Sequence, residues 1–185
     1  MKNMDLTGQI IVSMPTLEDQ RFFKTVIYMC AHSSEGSMGI IINKKIDYDL
    51  YPGLLQQLGI DKNSNKNLFL RYGGPVESGR GFILHSDDII GKESININKG
   101  VALTSTSDFF EDLSSGKGPK NSILALGYAG WGPGQLESEI IQNSWMTLTT
   151  DCNFLFDEDV SKKWSQAYKL IGINPNNLSS FSGRA

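Results

Sequence analysis

The chain has 185 residues, two cysteines and a net charge of −3, with 20 Asp+Glu against 17 Lys+Arg. That length fits one domain able to bury a core without disulfide support. The charge excludes a global basic field for DNA or anionic lipid, and no apolar run approaches the ~20 residues of a membrane-spanning helix.

The opening segment MKNMDLTGQIIVSMPTLEDQ has no signal-peptide core, because its apolar run Ile10–Met14 is short and meets Pro15 and then acidic residues. A cytoplasmic location is expected. GQIIVSM suits a buried strand stopped by Pro15. TVIYMCAH, SSEG and SMGIIINKK form an expected hairpin. In DYDLYPGLLQQLGI, Leu50, Leu54, Leu55 and Leu58 fall at helical spacing, with Asp49 as N-cap, Pro52 in the first turn and Gly59 at the end. NLFLRYGGPV and RGFILHS read as a further strand pair around a glycine-rich turn. VALTSTS reads as a strand, and Asp108 with Glu111 as a capping box opening the short helix FFEDLSS.

ILALGYA is apolar on both faces and belongs at the centre of a sheet. LGYAGWGPGQLE follows, with Gly132 expected as N-cap and Pro133 as the first residue of a helix over Pro133–Gln142. WMTLTT and NFLFD read as strands. The last helix, Val160–Ile171, places Val160, Trp164, Ala167, Tyr168 and Ile171 on one face, with Asp157, Glu158 and Asp159 at its start and Gly172 at its end. Strands outnumber helices without βαβ alternation, so a single α+β domain over residues 1–185 with a mixed or mostly antiparallel sheet is expected. Cys30 and Cys152 both lie in apolar strand-like runs, so both are expected as buried free thiols.

The glycine-rich stretch between a strand and a helix invites a phosphate-binding reading. A P-loop needs GxxxxGK[ST], and Gln135, Leu136 and Glu137 stand where its lysine and hydroxyl belong. A dinucleotide fingerprint lacks its third glycine, and Pro133 removes one N–H. The simpler reading is a turn that makes room for a buried Trp131, with Trp145 as a second packing anchor. His32 and His85 both end strands, without the spacing of a zinc site, and hydrogen-bonded strand-end histidines are the commoner case. The HSDD run, His85 to Asp88, does not make a Ser-His-Asp triad, because adjacent residues cannot form the relay. Arg71, Arg80 and the pair Lys44-Lys45 are the notable cations; for Arg80 a solvated or ion-paired side chain competes with a role in a cleft. No catalytic set, metal site or cofactor is indicated.

MPTLEDQRFFKTVIYMCAHSSEGSMGIIINK, GGPVESGRGFILHS, ILALGYAGWGPGQLESEIIQNSW and GINPNNLSSFSGRA together resemble the YqgE/AlgH family of bacterial proteins, also called UPF0301 or DUF179, from about Gly8 to the C-terminus. The third motif is the most specific. Two departures stand out: the family commonly has Asn-Arg-Pro at Asn43-Lys44-Lys45, and Gly-His-Ala at Gly183-Arg184-Ala185. The resemblance implies a compact α+β domain with a small barrel-like sheet surrounded by helices, and no catalytic residues or cofactor. One branch is described as a transcriptional regulator, a label resting on no recognisable DNA-binding motif. This chain likewise has no helix-turn-helix pattern, basic stripe or aromatic-basic interleaving.

Two functions of different kinds follow. One is a regulatory protein acting on a protein partner or small ligand through a surface built from the motif loops, without autonomous nucleic-acid or membrane binding. The other is a small-molecule or nucleotide-binding protein, or an enzyme, with a cleft near Asn43, Arg80, His85, Trp131 and Gln135, all on expected turns or strand ends. Convergence of those five on one pocket favours the second, and scatter favours the first.

Overall fold

The structure is a computed structural model that describes residues 5–46, 53, 56, 69–105, 109, 112, 115–157 and 159–178. Within them lie nine strands: β1 Ile10–Ser13, β2 Val26–Ser33, β3 Gly36–Ile41, β4 Phe69–Tyr72, β5 Val76–Ser86, β6 Ile95–Asn98, β7 Val101–Thr104, β8 Ser122–Trp131 and β9 Trp145–Leu148. Three α-helices follow β8 and β9: α1 Gln135–Ile141, α2 Cys152–Phe156 and α3 Val160–Leu170. The strands form one sheet in the order β6-β7-β5-β8-β3-β2-β1-β9, with β4 added on β8. The β4–β8 pair is parallel and the other pairs are antiparallel. The chain is α+β with a mixed, mostly antiparallel sheet. β6 and β9 each end the row, so the sheet is open; it is barrel-like only in that β1 and β7, far apart in strand order, share one core through Ile10 and Leu103.

The period-2 pattern of the sequence sorts residues onto two buried faces. Ile10, Val12, Val26, Tyr28, Ile40 and Ile42 join Trp164, Ala167 and Tyr168 of α3 in one cluster. Their neighbours Ile11, Ile27, Met29 and Ile41 face the other way and pack with Trp131, Leu136 and Trp145. Strands β1 to β3 are therefore covered on both sides, which explains why they read as continuous apolar runs. Helix α3 is tied to the sheet by Ser13, whose carbonyl accepts from Trp164 Nε1 at 2.9 Å and Tyr168 Oη at 3.0 Å.

Several expectations need correcting. β4 and β5 do not pair with each other: β8 lies between them, Leu126 sitting opposite both Tyr72 and Gly81. NFLF is helix α2, because Asp151 accepts a hydrogen bond from Phe154 N at 2.8 Å and caps a helical turn in place of a strand. Cys152 therefore opens a helix and is only half-buried, whereas Cys30 is buried; both are free. ININ, which periodicity passed over, forms β6 at the sheet edge with Ile95 exposed. Helix α1 starts two residues later than expected, with Gly134 as its N-cap at φ 69°, so Pro133 lies in the preceding turn. Helix α3 matches its expected span to within one residue, although Ile171 is exposed. The expected helices after Asp49 and Asp108 lie outside the described residues, except that Gly53, Gln56, Phe109 and Asp112 are helical.

Candidate functional site

The glycine-rich stretch is built around a close backbone crossing. Gly127 has φ 71°, and a Cβ there would lie 2.4 Å from Gly74 O and 2.7 Å from Val76 O. A Cβ on Gly74 would in turn lie 2.1 Å from Tyr128 C. The two glycine runs GGP and GYAG thus touch back to back, where no side chain fits. Beyond the crossing, β8 ends at Trp131, which is 7% exposed, and β9 begins at Trp145, which is 4% exposed.

Both indoles point at one carboxylate. Glu139 Oε2 accepts from Trp131 Nε1 at 2.9 Å and from Trp145 Nε1 at 2.7 Å. Glu139 Oε1 accepts from Gln135 Nε2 at 2.8 Å, and Gln135 Oε1 accepts from Gly132 N at 3.0 Å. The rings meet edge to face with centroids 6.0 Å apart. Gln135 and Glu139 are one helical turn apart, which places both on the side of α1 that faces the tryptophans. The motif is therefore a means of burying two tryptophans with their polar atoms paired. Glu139 was absent from the sequence-derived candidates; only the convergence of the two indoles singles it out.

His85 is fully buried, and its ring belongs to a closed chain of hydrogen bonds. Its Nδ1 lies 2.8 Å from Ser86 O, a pure acceptor, so the proton sits on Nδ1 and Nε2 accepts from Thr104 Oγ1 at 2.9 Å. Thr104 Oγ1 then accepts from Ser94 Oγ at 2.6 Å, and Ser94 Oγ accepts from Gly91 N at 2.8 Å. Burial pushes the imidazole pKa below its ordinary value, with Asp88 and Asp87 opposing weakly. Ser86 donates to Asp88, and Asp87 accepts from Gly100 N at 2.9 Å, so the HSDD run holds turns together. His32 accepts from Leu6 N on Nδ1 at 3.3 Å. With Nδ1 accepting, the imidazole is neutral; its Nε2 lies 3.3 Å from Glu137 Oε1 without the alignment of a hydrogen bond.

Asn43, just past β3, ties down the entry to β2, accepting from Val26 N at 2.8 Å and donating to Lys24 O at 2.9 Å. Arg80 is exposed, paired with Glu77 at 3.0 Å and stacked over Phe82 at 5.1 Å. The five candidates therefore separate. Trp131 and Gln135 share Glu139, His85 lies in the core, Arg80 is on the surface, and Asn43 lines a cavity that none of the other four reaches. Among the described residues, no three His, Cys, Asp or Glu side chains converge as a metal-binding set. The buried amine of Lys163 is also occupied: it donates to Phe154 O and, at 3.3 Å, to Leu155 O at the end of α2, and burial lowers its pKa to about 8.

Two recesses stand out among the described residues. A shallow trough of about 440 Å³ runs over Ala31, Gly36, Met38, Val76, Tyr128 and Gly130, with Trp131 at its edge. Small residues of β2, β3 and β8 line it, together with Val76, Tyr128 and, from the β2–β3 turn, Glu35. A larger cavity of about 740 Å³ lies between the Lys24 turn, the Asn43-Lys44 segment and one face of α3.

Comparison with known proteins agrees with this architecture. A family model described as AlgH-like, DUF179, matches residues 10–176. A UPF0301 protein of Bartonella quintana is 43% identical, with 100% of each chain covered. Another from Bradyrhizobium diazoefficiens is 46% identical, covering 97% of this chain and 88% of that one. The solution structure of the AlgH protein from Pseudomonas aeruginosa superimposes with a TM-score of 0.79 at 29% identity, covering 100% of this chain and 98% of the other. A crystal structure from Corynebacterium diphtheriae, at TM-score 0.73 and 17% identity over 98% and 95% of the chains, shares the fold. No helix among the described residues is long and apolar enough to cross a membrane. The chain belongs to the AlgH-like family, DUF179 or UPF0301.

Proposed function

We propose that this protein is a cytoplasmic regulatory protein, one domain over the whole chain, that acts by contact with a protein partner through the trough beside the glycine-rich strand. In this reading it neither catalyses a reaction nor reads DNA by itself. The observation that carries the reading is internal pairing. His85, Trp131, Gln135 and Glu139 spend their polar atoms on one another and on the backbone. The motif therefore builds a surface, and its own polar side chains are committed to holding that surface in place. A lining rich in glycine, alanine and serine beside Tyr128 and Trp131 suits close approach of another chain, since aromatic groups are enriched at the centres of protein contacts.

The test is affinity capture from the cytosol of the source bacterium, with the native chain and an Ala31→Arg variant. Ala31 is exposed and lines the trough, so the arginine fills it without entering the core. The expected result is a partner retained at near-equal stoichiometry by the native chain and lost with the variant at unchanged melting temperature. Identical retention by both chains, or by neither, contradicts the reading.

A further inference from the structure

The cavity beside α3 is not used by the trough, and its lining has a consistent chemistry. Ser161, Ser165 and Lys169 recur every fourth residue, so they form one stripe along α3 and make the recess a groove ~12 Å long. Val160 and Trp164 lie beneath that stripe, with Ile173 and Pro175 closing the groove on an apolar side. Three lysines line it, Lys24, Lys44 and Lys169, and among the described residues no carboxylate does, although Ser161 donates to Asp159 Oδ1 at 2.7 Å. In a chain of net charge −3 this is a local reversal of sign.

Lys24 is held for this position. It is one of three non-glycine residues at positive φ among those described, at 47°. Asn43 fixes the turn by donating to the Lys24 carbonyl at 2.9 Å, and the Lys24 ammonium lies 5.5 Å from the Trp164 ring centroid. A non-glycine residue in the left-handed region is a cost the fold retains most often at ligand sites. Lys44 is half-buried and donates to Arg21 O at 2.5 Å; burial lowers its pKa against the pull of Asp19. An anion in the groove would offset that desolvation. The C-terminal end of α3 opens here as well, and its carbonyls favour cations, so the positive field comes from the lysines alone.

We infer that this groove is a binding site for a small phosphate ester with a flat apolar body, the phosphate held by Lys24, Lys44 and Lys169 and the body laid along Ile173 and Pro175, beside the exposed edge of Trp164. The volume, about 740 Å³, falls in the range of small-molecule sites. The apolar wall distinguishes such an ester from inorganic phosphate, and the lysines distinguish it from a neutral aromatic. A phospholipid headgroup shares the phosphate chemistry; the groove's apolar side, Ile173 and Pro175, together with its volume suits the small body of a free metabolite.

The test is isothermal titration of the full chain with 1-naphthyl phosphate, and separately with 1-naphthol and inorganic phosphate. The ester is expected to bind at least about tenfold more tightly than either part. Lys169→Glu, which changes an exposed side chain, and Lys24→Gln should each weaken it about tenfold at unchanged melting temperature, with rising salt acting in the same direction. Ala31→Arg should leave binding intact, which separates this site from the trough. Absence of ester binding, or equal affinity in both lysine variants, overturns the inference. Co-sedimentation with phosphatidylglycerol vesicles that is lost in Lys169→Glu overturns the assignment to a free metabolite in favour of a lipid.

Discussion

Glu139→Ala removes the one carboxylate on which two buried indoles converge. In the native chain Trp131 Nε1 and Trp145 Nε1 both donate to Glu139 Oε2, at 2.9 and 2.7 Å. Among the described residues neither indole has another acceptor, and the rings are only 7% and 4% exposed. A buried donor left unpaired costs ~1–3 kcal/mol. Two of them, partly relieved by water entering the half-exposed Glu139 site, give a loss of about 2–5 kcal/mol. For a domain of this size that is about 5–15 °C in melting temperature. Glu139→Gln separates the causes. The amide oxygen still accepts from both indoles, and only the charge and the Gln135 contact are lost, so the cost should stay near ~1 kcal/mol. Urea unfolding followed by tryptophan fluorescence reads both variants directly. A Glu139→Ala midpoint within error of the native chain, or a Glu139→Gln variant as damaged as the alanine, refutes the claim that this carboxylate organises the glycine-rich motif.

Gly127→Ala should destabilise more than a surface substitution, because the new Cβ would meet Gly74 O at 2.4 Å in a left-handed backbone that alone costs ~1–2 kcal/mol; thermal melting checks it, and an unchanged midpoint contradicts it. His85 binds its proton less tightly folded than unfolded, so its contribution to stability is present above the unfolded value of about 6.5 and is lost as pH falls through the lower folded value. Urea midpoints should therefore drop from neutral toward about pH 5, a limb that His85→Asn flattens, before the paired carboxylates titrate at lower pH. Cys30 is buried and its thiol is pushed up to about 12, so it should resist a thiol reagent in the native state and react on unfolding, while the half-buried Cys152 reacts first.

The strands were legible where burial on both faces left apolar runs, as in β1 to β3 and β8, and α3 was legible from its 3.6-residue stripe. Reading failed where a local hydrogen bond outweighed composition. Asp151 turned NFLF into a helix, and the exposed edge strand β6 offered too little apolar signal. The β4–β5 pairing was misplaced because adjacency in sequence said nothing of β8 entering between them. Trp131 and Trp145 were recognisable as anchors, since large aromatics beside glycines have few other uses. Their shared carboxylate was harder to see, because a glutamate on a short helix reads as solvated until the indoles converge on it. The groove was invisible for a similar reason: Lys24, Lys44 and Lys169 are far apart in sequence, and only the fold brings them together.

If the protein acts by contact and does not read nucleic acid itself, fluorescence anisotropy of mixed labelled duplexes, titrated with the full chain near physiological salt, shows it. With 17 Lys+Arg against 20 Asp+Glu, the chain offers few phosphate contacts and little counterion release. The expected result is no saturable binding below micromolar concentration and little change with salt. Sub-micromolar binding that weakens steeply as salt rises contradicts the claim and establishes a protein that binds DNA on its own.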